Sequence, residues 1–141
     1  MDPGHKLVVT AWGETPMDAL ANTVEVQTQP APTADELEPH DVVLRVRACA
    51  VGWVDLLMMS GQYQHMVEPP YTPGLEFAGE VIACGKGVER VSIGDRVLAD
   101  GFLTGPRSAG RHNRWGGFAT YAVIPERAAI PLPASLTFPQ A

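Results

Sequence analysis

Two cysteines in 141 residues, Cys49 and Cys84, are too few for a disulfide framework or a four-cysteine zinc site. Each stands in an apolar, strand-like run, which reads as a small buried hydrophobe rather than a nucleophile. Basic residues are scarce too: ten Lys and Arg against sixteen Asp and Glu, for a net charge of −6. That balance offers no footprint for nucleic acid or an anionic membrane. No apolar run is long enough to cross a bilayer. The opening residues, Met1 to Lys6, lack the basic start and apolar stretch of a signal peptide, so a cytoplasmic protein is expected. The four histidines, His5, His40, His65 and His112, are scattered without metal-ligand spacing and read as surface residues. No Gly-x-Gly-x-x-Gly follows a strand, and Gly85-Lys86-Gly87 is a hairpin-type turn with no helix behind it, so no phosphate-cradling loop is present.

What the chain does have is turns. Thirteen Pro and fourteen Gly are spread along it between short β-prone runs, and 45% apolar residues are enough for a single core. Strands are expected over Lys6–Ala11, Asn22–Gln29, Asp41–Ala50, Phe77–Cys84, Arg96–Ala99, Phe118–Ile124 and Ala129–Leu132. In the best of these, Val42, Leu44, Val46 and Ala48 line one face. Trp53 to Ser60 has no alternation and fits a short helix that Gly61 ends in a left-handed turn. Gly85-Lys86-Gly87 reads as a turn in which the glycines can take positive φ at little cost. Asp35-Glu36-Leu37-Glu38 reads as solvated surface. Many short strands with one or two short helices make a mainly β protein, a small barrel or sandwich. The stretch 100–117 is the exception: it is aperiodic and glycine-rich, with Arg107, Arg111, Arg114 and His112 and no acid after Asp100. It reads as a surface loop, or as an anion-binding edge of a cleft.

An ordered set of pieces carries a family resemblance. Arg45-Val46-Arg47-Ala48-Cys49-Ala50-Val51-Gly52 leads into Trp53-Val54-Asp55-Leu56 and Ser60-Gly61-Gln62-Tyr63. Pro73-Gly74-Leu75-Glu76 comes next with Gly79, then Gly94-Asp95-Arg96-Val97 and Gly116-Gly117-Phe118-Ala119-Thr120-Tyr121. Together they resemble the N-terminal catalytic domain of the medium-chain dehydrogenase/reductase superfamily, on the side of its zinc-independent quinone oxidoreductases and enoyl reductases. The resemblance implies a GroES-like β-barrel over residues 1–132. Residues 133–141 then lead toward a Rossmann cofactor domain that is absent from this chain.

The same resemblance implies the chemistry. Zinc-dependent relatives place metal ligands where Gly52 and Leu75 stand, and neither side chain can donate an electron pair, so no zinc is expected. Val54 stands where alcohol dehydrogenases often have a hydroxyl proton relay, which argues against alcohol oxidation. What remains fits NADPH-dependent reduction of quinones or other α,β-unsaturated carbonyls, with hydride transfer and a proton from Tyr63, whose phenol is a weak acid. Gly52, Trp53 and Val54 are expected on the nicotinamide side of the cleft. Asp55 is expected to cap or brace the helix start, Glu76 to form a buried ion pair with Arg96 or another Arg, and Gly74 and Gly79 to permit close backbone approach. Met58, Met59 and Met66 are candidates for an apolar cleft wall or for core. The implied partners are the Rossmann domain, a conjugated carbonyl or quinone, and a second copy in a homodimer. Alone, the chain is expected to be inactive and to leave apolar surface uncovered. The alternatives are a non-catalytic GroES-like scaffold barrel and an enoyl-reductase module of a larger synthase.

Overall fold

The computed structural model describes residues 2–105 and 110–141. Arg107 therefore lies outside the described residues, and for Asn113 only the backbone is described. Among the described residues, seven strands form two antiparallel sheets. β1 (Gly4–Val9) pairs with β2 (Val24–Gln29). The larger sheet contains β3 (Asp41–Cys49), β4 (Phe77–Cys84), β5 (Arg96–Ala99), β6 (Tyr121–Pro125) and β7 (Ala129–Pro131), in the order β6-β3-β4-β5-β7. It curls into a half-barrel, and the protein is mainly β as expected.

β3 owes its central place to its sequence. Nine residues with apolar side chains on both faces need a neighbour on each edge and cover on each side. Val42, Val43 and Leu44 are fully buried. Val42 and Leu44 join Val81, Val97, Ala122 and Ile124 in the barrel core. A second cluster, Val9, Ala19, Met58, Met59, Val67 and Tyr71, lies under the helices. Met59 belongs to that core, while Met58 also reaches the cleft at the mouth of the half-barrel.

Helix α2 (Trp53–Met59) ends as expected, with Gly61 at φ +68°. A helix stands where none was expected: α1 (Pro16–Asn22) replaces the start of the second strand. Its signal is local. The Thr15 hydroxyl accepts from the Asp18 N–H at 3.1 Å with Pro16 opening the helix. Only Ala19 is buried, so seven residues carry no periodicity to read.

Other differences are physical as well. Gly85 and Gly87 have ordinary φ, and the positive values fall at Gly61, Gly74, Gly94 and Gly105. Gly85 is needed for space, because a Cβ there would overlap the backbone of Glu38 and Pro39. Phe118 to Thr120 do not join β6, because they bond to β1 instead: Leu7 N–H donates to Phe118 O at 2.8 Å and Thr120 N–H to His5 O at 2.8 Å. The acidic run over residues 35–38 is surface, with Glu36 closing a capping box on Thr33. No helix among the described residues is long and apolar enough to cross a membrane.

Candidate active site

The segment from Thr72 to Glu76 crosses the mouth of the half-barrel without joining a strand. Neighbours on both sides hold it by backbone bonds. Gly116 N–H donates to Thr72 O at 3.0 Å, Phe118 N–H to Pro73 O at 3.0 Å and Gly117 N–H to Gly74 O at 2.8 Å; on the other side Ala50 N–H donates to Glu76 O at 2.8 Å. Gly74 turns at φ +106°. A Cβ on it would lie 2.7 Å from the amide nitrogens of Gly117 and Phe118 and 2.9 Å from Cys49 Sγ.

Asp55 ties this segment to α2. Its carboxylate is buried, 3% exposed. Oδ2 accepts from Gly52 N–H and Oδ1 from Gly74 N–H, both at 3.0 Å. The Leu75 N–H bonds to it as well. Burial pushes the Asp55 carboxyl above the ordinary 3.8, only partly opposed by these N–H groups, and the nearby Glu76 charge adds to the rise. The expected capping role is what the structure shows, with a second bond partner across the cleft.

Beneath these elements opens a cavity of about 900 Å³. Gly52, Trp53, Val54 and Tyr63, the four residues singled out in the sequence, all line it. So do Leu75, Met58 and Phe77, which make the wall apolar. Tyr63 sits edge-on to His65, ring centroids 6.0 Å apart and planes at 71°. Trp53 is 68% exposed at the rim, with Val51 and Phe102 also outward-facing.

Several side chains of the cavity gave no signal in the sequence. Trp115, His112, Phe138 and Pro139 reach it from segments distant along the chain. Cys49 was expected in the core, but it is half-buried and lines the cavity. Burial and then the Asp55 and Glu76 charges push its thiol up to about 12, so it is held as the unreactive thiol. The Tyr71 hydroxyl, near Asp55, is buried with no hydrogen-bond partner among the described residues.

Glu76 departs from expectation. It is exposed at the cavity rather than buried, and among the described residues its carboxylate meets no arginine. Arg96 is engaged with Leu136 and Phe138 instead. The turn before it is held by Asp55 instead, through the Gly74 and Leu75 N–H groups.

The loop over 100–117 also differs from expectation. Arg111 is spent on acids of its own chain: it pairs with Asp41 and lies 3.3 Å from Glu38, and it donates to Glu36 O at 3.3 Å. The Arg111 guanidinium is thus engaged within its own chain rather than open to an anion. His112 is no surface residue; its side chain is 12% exposed and Nε2 lies 2.8 Å from Asp41 Oδ1. His40 likewise pairs with Glu126 at 2.7 Å.

Asp41 anchors this loop to the start of β3. Burial alone would push its carboxyl up, but His112, the Glu38 N–H and Arg111 outweigh burial and hold it below 3.8. A depressed carboxyl stabilises the fold above its unfolded value, and the gain is lost as pH falls through the folded value. Urea midpoints should therefore drop as pH is lowered below about 4. Asp41→Asn should lower the midpoint at pH 7 and flatten that acid drop. An acid slope as steep in the variant as in the parent would contradict this.

No group of three His, Cys, Asp or Glu among the described residues converges to hold a metal ion. At the two positions where a ligand would be needed, Gly52 contributes no side chain and Leu75 only hydrocarbon.

Residues 38–134 match the alcohol dehydrogenase GroES-like domain family. The chain belongs to that family. Its similar relatives include quinone oxidoreductases and VAT-1 homologs. Lama guanicoe quinone oxidoreductase is 36% identical over 101 residues, covering 72% of this chain and 27% of that protein. The synaptic vesicle membrane protein VAT-1 homolog of Rattus norvegicus is 35% identical over 140 residues, 99% of this chain and 30% of its own length. Among solved structures, Escherichia coli quinone oxidoreductase complexed with NADPH superposes with a TM-score of 0.69 at 24% identity, over 95% of this chain and 35% of that one. This GroES-like domain thus spans about a third of the length of the relatives it matches.

Proposed function

We propose that this GroES-like domain is the substrate side of an NADPH-dependent, zinc-independent reductase of quinones or other α,β-unsaturated carbonyls. The observation that carries the reading is the apolar cavity of about 900 Å³ with Tyr63 on its wall and no metal-ligating side chain at Gly52 or Leu75. A cavity of this size and polarity suits a flat conjugated ring system.

The cofactor fits only in part. Trp53 offers an exposed flat indole at the rim beside Gly52 and Val54, room for a nicotinamide ring. No strand–turn–helix with clustered glycines is present among the described residues to cradle a pyrophosphate, so the rest of the cofactor would be held by a Rossmann domain. NADPH supplies a hydride when bound. Two of the three named relatives are quinone oxidoreductases, and the NADPH is that of the Escherichia coli enzyme.

The chain's own residues then have simple tasks. Leu75, Met58 and Phe77 exclude water from the acceptor ring. The Tyr63 hydroxyl donates a hydrogen bond to the acceptor's carbonyl oxygen. As hydride arrives at the conjugated system, negative charge develops on that oxygen, and the Tyr63 proton passes to it. Delocalisation over the conjugated system takes the place of a metal's polarisation. The enzyme so formed would work in the cytoplasm as a homodimer.

Three measurements test the reading. A two-ring quinone titrated into this chain should quench Trp53 and Trp115, both on the cavity wall, while Trp12 lies outside it; Trp12→Phe leaves only the reporting pair. No saturable quenching sinks the site. In the enzyme containing a cofactor domain, Tyr63→Phe should lower kcat about 100-fold with a smaller change in KM. Turnover of NADPH and quinone by this chain alone would overturn the placement of the cofactor on another domain.

A further inference from the structure

The residues after β7 do not leave the barrel. Leu132 N–H donates to Arg96 O at 2.8 Å, which keeps the chain beside β5. The Arg96 guanidinium then makes two contacts with the C-terminal residues. It donates to Leu136 O at 2.6 Å, and its carbon lies 4.7 Å from the centre of the Phe138 ring. Thr137 and Gln140 close a capping box that fixes the turn Phe138–Gln140. Phe138, Pro139 and Ala141 thereby reach the same cavity as Tyr63 and Leu75.

We propose that the segment from Leu136 to Ala141 is a wall of the cleft, seated by Arg96, and that Phe138 sets the size of ligand the cleft admits. The alternative is a plain connecting segment that touches the barrel in passing. Geometry favours the wall. Among the described residues no strand pairs with this stretch beyond Leu132, and the Arg96 side chain reaches back to it. The Phe138 ring is half-buried although most of its neighbours from Pro133 to Ala141 are exposed. A planar guanidinium can donate in its plane and stack through its face at once, which an ammonium cannot do. The ring is therefore held in a fixed orientation over the opening, where its bulk competes with a ligand's.

This inference takes from the proposed function only that the cavity receives an apolar ligand, and its test uses no quinone. Amide hydrogen exchange over 136–141 reports the seat. Arg96→Lys should speed exchange there about tenfold while the β3 amides keep their protection. The neutral dyes prodan and the larger Nile red report the opening. Phe138→Ala should raise the affinity for Nile red relative to prodan about tenfold, and Phe138→Trp should lower it. The substitution to Trp adds bulk at a half-buried position, so it decides the matter if the Ala variant folds poorly. Unchanged exchange in Arg96→Lys, or one dye ratio shared by all the proteins, would overturn the proposal. A cleft that binds dyes with this size dependence but no quinone would instead sink the proposed function and leave the wall in place.

Discussion

Gly74→Ala is expected to destabilise the fold by about 3 kcal/mol or more. Two costs add. The backbone turns at φ +106°, where an L side chain is strained. The added carbon would also sit 2.7 Å from two amide nitrogens and 2.9 Å from a sulfur. Cys49 Sγ could yield by rotating, but Gly117 N and Phe118 N are backbone atoms already bonded to Gly74 O and Pro73 O. The segment carrying Leu75 must therefore move outward, taking the Gly74 N–H from Asp55. Urea denaturation and quinone quenching of Trp115 should both register the change. Gly94→Ala is the control: Gly94 has a similar φ of +96° but open space around its Cβ position. Equal losses at the two sites would show that backbone strain alone is at work and that the close approach is not limiting.

Asp55→Ala should cost about 3 kcal/mol, because it leaves buried N–H groups on Gly52 and Gly74 without acceptors. The substitution loosens two walls of the cavity together, so a ligand should bind more weakly even where the domain remains folded. Asp55→Asn keeps one acceptor and should cost less. It also isolates the charge. Burial raises the Asp55 carboxyl above 3.8, so the folded state holds its proton more tightly than the unfolded chain does. The stabilisation associated with that proton is fully present below the unfolded value and is lost as pH rises through the folded value. Asp41 titrates in the opposite sense, as do the depressed carboxyls of Asp18, Glu36 and Glu126, so Asp41 is one contributor to the acid limb of the stability profile, and Asp55 contributes to the decline above it. Asp55→Asn should reduce that decline and leave the acid limb. A profile unchanged above pH 4 would show that the Asp55 carboxyl is not perturbed by burial.

The two predictions bear on the same piece of architecture. A short segment, Thr72–Glu76, is suspended between the Gly116–Phe118 backbone and the Asp55 carboxylate, and the cavity exists because it is held there. In metal-dependent members of the superfamily a ligand is expected at Leu75. Here the side chain in that place contributes only hydrocarbon, and the supports around it remain. That is the physical basis for reading the site as one that excludes water around a conjugated acceptor.

Much of the fold was legible in the chain. β4 begins and ends where its alternation and its flanking turns place it, and β3 is one residue shorter than its pattern. α2 and its Gly61 terminus follow from the loss of alternation after Gly52 and from the need for a left-handed residue. α1 was not legible, since one buried alanine in seven residues leaves a capping threonine as its only mark. Of the site, Tyr63, Gly52, Trp53 and Val54 were identified by resemblance, and they do share one cavity. Glu76 was misjudged because a motif shows that an acid is present but not which way the backbone turns it.

What the sequence determined by itself is everything that depends on neighbours along the chain: strand alternation, turn glycines, the acidic surface run and the hydrocarbon at Leu75. These come from local sterics and from which side chains carry lone pairs. Only the tertiary structure decided the pairings: Arg111 and His112 on Asp41, Arg96 on Leu136 and Phe138, and Asp55 across to Gly74. A charged or polar side chain has several possible partners at any separation along the chain, and which one it meets is set by how the sheets bring distant segments together.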